Sequence, residues 1–170
     1  MSKIEKEIID NASLSAAGFY EPVAKKYPEL RKFKNIKQWD FFATVAIVGS
    51  CLMNLQMEEN EVLLRNLQHN FQKEFQDFHP QGWDAIEDLF NFIDTSKKPS
   101  KPKTLNEHTA PKYLNQLIDT IALSVGLWVV LNLQGSNPKK SQFELSSILA
   151  NLFYKKVGVE LAVKYAQNAN

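Results

Sequence analysis

The sequence predicts an all-α fold, a single-domain bundle of five to six principal helices over residues 1–170. Three observations predict it. Apolar residues recur at three- and four-residue intervals, the spacing that gathers side chains on one face of a helix. No stretch joins strict alternation and β-branched enrichment to flanking hairpin turns, and only the run Val125 to Leu133 is ambiguous. With 44% hydrophobic residues, 11% aromatics, six glycines and seven prolines, the chain has the apolar content to bury a core. A division into residues 1–94 and 112–170, joined by a mobile loop, is the alternative organisation. No repeat of fixed period is visible, which argues against a solenoid.

The first helix is expected over about residues 3 to 17, where Ser2 and Glu5 have capping-box spacing and Ile4, Ile8, Ile9 and Ala12 follow at helical intervals. Gly18 is the expected stop. Pro22 and Pro28 punctuate a basic connector holding Lys25, Lys26, Arg31, Lys32, Lys34 and Lys37, with at most short helices. From Ile36 to Met57 the residues are mainly apolar and none is charged between Asp40 and Glu58, so this helix should be buried on most of its surface, at the centre of the bundle. Glu58 to Phe78 has the clearest period. Leu64, Leu67, Phe71, Phe75 and Phe78 form its apolar stripe, while Glu59, Gln68, Gln72, Lys73 and Gln76 face water. His79-Pro80-Gln81-Gly82 breaks it. The next, shorter helix turns Ile86, Leu89, Phe90 and Ile93 inward and carries Asp84, Glu87 and Asp88 in its early turns, where the macrodipole favours negative charge.

Thr95 to Pro111, at about residues 95–111 a Lys/Pro-rich loop, contains one large aliphatic residue and cannot bury enough surface to order itself. Pro111 suits the first turn of the following helix, in which Leu114, Leu117, Ile118, Ile121, Val125 and Trp128 line one side and which Gly135 to Pro138 ends. Ser141 and Glu144 repeat the capping-box spacing at the head of one last long helix that carries Leu145, Ile148, Leu149, Leu152, Phe153, Val157, Leu161 and Tyr165. Gly158 marks a kink or a close-packing point in it.

Composition narrows the function classes. Twenty cations against 19 carboxylates leave a net charge of +1, so there is no global attraction to nucleic acid or an anionic membrane. The opening residues alternate charge with isoleucine and lack the apolar run of a secretory signal, which implies a cytoplasmic protein. No membrane span is expected, because the apolar heart Ile121 to Leu131 reaches only about 16 Å at helical rise against roughly 30 Å of hydrocarbon. The four loop lysines Lys97, Lys98, Lys101 and Lys103 come without a reading helix or an aromatic sheet, so sequence-specific nucleic-acid binding is not expected.

Chemistry has few footholds. Cys51 is the lone cysteine and lies in the most apolar helix, where a thiol stays unreactive. His69, His79 and His108 form no metal-ligand spacing, and a grouping of His79 with Asp77 and Asp84 at the helix break reads first as end-capping. Nucleophile elbow, Walker and dinucleotide motifs are missing, so catalytic residues, metal ligands and cofactors are all expected to be none.

What remains is charge segregation and aromatic content. Residues 58–94 hold nine acids against Arg65 and Lys73, a net of −7, whereas residues 95–156 hold nine lysines against Glu107, Asp119 and Glu144, a net of +6. Solvated helix faces explain much of this. The functional reading is a protein that binds another protein, as an inhibitor, immunity factor or adaptor, through the acidic face with Trp83 as anchor beside Asp84, Glu87 and Asp88. Self-association through an apolar helix is compatible with it. The alternative is an apolar small molecule held in a pocket between Phe71, Phe75, Phe90 and Trp128.

Overall fold

Helix after helix, with no strand, makes up the described residues, 3–56, 61–136 and 139–168, of a computed structural model. Ser2, Met57, Glu58, Glu59 and Pro138, and the side chains of Leu64, Arg65 and Ser141, lie outside the described part of the chain. Helix α1 spans Ile4–Lys26, and 3-10 turns follow at Pro28–Lys32 and Ile36–Gln38. Next come α2 (Trp39–Gln56), α3 (Glu61–Phe78), α4 (Gly82–Thr95) and, beyond the Lys/Pro-rich loop, α5 (Thr109–Gln134). A 3-10 turn at Lys140–Gln142 leads into α6 (Phe143–Leu149), a π-helical segment (Ala150–Gly158) and α7 (Val159–Asn168), which succeed one another without a break as one rod.

Helix α2, uncharged after Asp40, is the axis of the fold. Every residue of α2 from Ala43 to Leu52 is buried, and α1, α4, α5, α7 and the π segment all pack against it. A helix apolar on every side cannot present any face to water, so its neighbours must surround it. Its few polar groups are mostly settled locally. Trp39 donates its indole N–H to the Ala16 carbonyl at 2.8 Å, tying the start of α2 to α1, and Ser50 donates its hydroxyl to the Ala46 carbonyl at 2.7 Å. Helices on both sides of the Lys/Pro-rich loop therefore share one hydrophobic core.

The first helix is longer than expected. It runs through Gly18 and Pro22 to Lys26 because its buried stripe, Ile8, Ile9, Ala12, Ala16, Val23 and Ala24, continues past both. Pro22 has no N–H for the Gly18 carbonyl four residues back, but both residues are exposed, so water can satisfy it. Glu5 is buried rather than a capping residue: no side chain caps the helix at Lys3, and the Tyr165 hydroxyl donates to the Glu5 carboxylate at 3.2 Å.

The last rod also departs from the expected single α-helix. Leu145 and Ser146, Leu149 and Ala150, Phe153 and Tyr154, Val157 and Gly158, and Leu161 and Ala162 are all buried, a repeat of four. An α-helix of 3.6 residues per turn drifts about 40° at every such step. Wider π winding turns the drift back and keeps the pairs inside. Close approach needs the two glycines: a Cβ on Gly158 would lie 2.7 Å from the Ser50 Cβ, and one on Gly126 of α5 only 1.9 Å from the Ser146 carbonyl oxygen. At the head of the rod the reciprocal cap joins Lys139 and Gln142, whose side-chain oxygen accepts the Lys139 N–H at 2.6 Å.

Helix α5 is, among the described residues, the one helix long and apolar enough by length and composition to cross a membrane. Ile121, Val125, Trp128, Val129, Val130 and Leu133 are buried in the core, while nothing from Thr109 to Thr120 is fully buried. Gly135 at φ 81° ends the helix in the left-handed conformation that glycine adopts without strain.

Two outcomes follow. Gly126→Ala must push the Ser146 backbone aside, so urea denaturation should show a loss of about 3 kcal/mol. Burial pushes the Tyr154 hydroxyl from 10.0 up to about 12, and burial together with Glu5 does the same at Tyr165. The unfolded chain ionises first, so this stabilisation is complete below pH 10 and is lost as pH rises toward about 12. Ultraviolet titration should show these two phenols ionising only as circular dichroism reports alkaline unfolding.

Candidate partner-binding surface

The break before α4 is built from local chemistry. Gln81 donates its N–H to His79 Nδ1 at 3.1 Å, Gly82 donates to the His79 carbonyl at 2.9 Å, and the His79 ring packs 4.5 Å from that of Phe41. His79 is thus a turn-forming residue. No group of three His, Cys, Asp or Glu side chains could hold a metal ion among the described residues searched. Gly82 is required where α4 meets α3, since a Cβ there would fall 2.1 Å from the Phe75 ring.

From this start, α4 turns Trp83, Ile86, Leu89 and Ile93 into the core. Asp84, Glu87, Asp88, Asn91 and Asp94 recur every three or four residues along the opposite face, and all are exposed. The helix has four carboxylates and no Lys or Arg. Among the described residues its one ion pair is Asp94 with Lys98, at 3.9 Å. An acid-only face of this kind carries a local negative potential that cations elsewhere on α4 do not cancel.

Two of the four carboxylates are held in place from below. Trp83 donates its indole N–H to Glu87 Oε1 at 3.0 Å, and Trp128, reaching from α5, donates to Asp88 Oδ2 at 2.9 Å. A buried indole N–H needs an acceptor, and here surface acids supply it. The expectation that Trp83 reaches the surface as an anchor is corrected: it is 7% exposed, because the i, i+4 contact with Glu87 lets the ring lie under the acid ridge. Asp84, Glu87 and Asp88 are where the sequence placed them, on one outer face.

The four aromatics proposed to line an apolar pocket do not converge. Phe71 packs on Tyr165, Phe75 on Phe78 and Trp128 on Phe42, at ring separations of 5.4, 5.5 and 5.6 Å, and Phe90 is half-buried on α4. Phe71, Phe75 and Trp128 are core filling. Two open surface clefts lie elsewhere: one of about 390 Å³ between Ala17, Tyr20, Ile36 and Trp39, and one of about 450 Å³ between Lys97, Lys98, Pro99 and Gln116. Their lining residues show no periodic signal in the sequence.

Three other polar or nucleophilic groups lie inside the core. Cys51 is buried, and desolvation pushes its thiol up to about 12, which leaves it protonated near neutral pH. The Tyr154 and Thr44 hydroxyls are buried without a hydrogen-bond partner among the described residues. Compared with known proteins, the chain matches no family model, no curated protein sequence and no solved structure.

The two kinds of carboxylate on α4 should separate by stability. Asp88→Ala strands the Trp128 N–H and is expected to cost about 1–3 kcal/mol, whereas Asp84→Ala should stay within about 0.5 kcal/mol of wild type. Paired urea titrations read the difference.

Proposed function

We propose that the protein works in the cytoplasm by binding another protein through the outer face of α4, as an inhibitor, immunity factor or adaptor. The observation that carries this reading is the acid-only ridge, with Glu87 and Asp88 held by the buried indoles of Trp83 and Trp128. Fixed carboxylates lose less conformational freedom on binding than mobile ones, so the ridge meets its partner preorganised. The partner this chemistry selects is a basic surface, drawn in by long-range attraction and held by charge-assisted hydrogen bonds to the free carboxylate oxygens. Trp83 acts beneath the contact, as support.

The test uses positions that leave the indole contacts alone. In Asp84→Lys, Asn91→Lys, Asp94→Lys the side chains changed are exposed, so helicity should be retained. For a partner isolated with the wild-type protein, the triple variant should show an association rate at least about tenfold lower at low salt, and the wild-type rate should fall as salt rises. A partner that associates with both proteins at the same rate, with no response to salt, removes the reading.

A further inference from the structure

The net charge of +1 hides a second charged surface, at the end of the bundle where α1 stops and α2 starts. The six cations of the connector are all exposed there. The connector is not a loose tail: Leu30 and Phe33 are buried beneath it, and Asn35 is tied to the end of α5 by its N–H to the Leu133 carbonyl at 2.8 Å and its side-chain amide to the Asn132 carbonyl at 2.9 Å. The turn between α5 and α6 starts at this end, because Gly135 at the close of α5 lies against Lys34 and Asn35 of the connector, and Lys139 and Lys140 in that turn are both exposed. Eight cations thus share the surface with four carboxylates, Glu21, Glu29, Asp40 and Glu144. Glu21 is engaged by Arg31 at 3.0 Å.

The ordinary preference of lysine for helix C-termini accounts for Lys25 and Lys26, which close α1. It does not account for the cations on the two 3-10 turns or for the pair ahead of α6. Nor does it account for Phe143, which stands 47% exposed directly after the turn that carries Lys140. We infer that this end of the bundle is a docking surface for an anionic membrane, with lysines meeting the headgroups and Phe143 entering the interface. Seven of the eight cations are lysines, point charges suited to mobile headgroups, and the single Arg31 is already occupied by Glu21 and lies over the Tyr20 ring. A nucleic-acid surface would want arginine forks or several stacking rings, and one exposed phenylalanine at the start of α6 offers neither. Lysines around an exposed aromatic ring are the combination that binds anionic bilayers peripherally, without a span.

The experiment is co-sedimentation of the full chain with vesicles of phosphatidylcholine alone or mixed with phosphatidylserine. Wild type should sediment with the mixed vesicles, not with the neutral ones, and should be released by raised salt. Lys139→Gln, Lys140→Gln should weaken binding by about tenfold or more, and Phe143→Ala should weaken it several-fold with unchanged circular dichroism. Lys97→Gln, Lys98→Gln, away from this end, should bind as wild type does. The inference is overturned by equal binding to neutral vesicles, by no binding at low salt, by a Lys97/Lys98 variant that loses as much as the Lys139/Lys140 variant, or by a duplex DNA or RNA probe that binds more tightly than the mixed vesicles. The α4 face takes no part in this assay, so its outcome is independent of the partner reading.

Discussion

The structure depends on a helix that has nothing to offer water. Ala43 to Leu52 of α2 are buried without interruption, so four other helices and the π segment are arranged by the need to surround it. Burial of apolar surface supplies the driving force, and it is non-directional; the small residues decide how closely each neighbour can come. Gly158 meets Ser50 of α2, while Gly49 of α2 receives Leu89 of α4. Of the polar side chains at the contact, Ser50 bonds within its own helix and Trp39 to a crossing helix, while the Thr44 hydroxyl has no partner among the described residues.

The same closeness shapes the last rod. Its inward residues come in adjacent pairs every four positions, a spacing that ordinary α winding cannot keep on one side. The π-helical segment resolves the mismatch between that repeat and the walls formed by α2 and α5. The buried Tyr154 hydroxyl, without a hydrogen-bond partner among the described residues, belongs to this segment, at a place where packing has taken precedence over polar satisfaction.

Core and surface are joined through the indoles. Trp83 and Trp128 are nearly excluded from solvent, yet each directs its one polar atom outward to an acid of α4. Packing beneath the helix therefore fixes the charge geometry above it, and a change to Glu87 or Asp88 is also a change to the core. At the end of the bundle the connector follows a similar logic: buried Leu30 and Phe33 hold a backbone that displays cations. The molecule thus carries separate acidic and basic surfaces on one rigid frame.

Much of this was legible in the residues. Three- and four-residue apolar spacing located α3 and α4, the absence of charge marked α2 as central, and the acids that follow Gly82 fell in the early turns of α4, because periodicity and charge are local properties of the chain. Gly18 and Pro22 misled as stop signals, since a buried stripe shared with α2 outweighed local propensity. The depth of Trp83, the reach of Trp128 to an acid 40 residues away and the failure of four aromatics to enclose a pocket were decided by tertiary structure alone. The sequence by itself determined where the main helices lie and the apolar face of most of them; the tertiary structure decided how far α1 runs, how the last rod winds and which polar atoms meet, because these depend on ångström-scale placement that only the packed neighbours set.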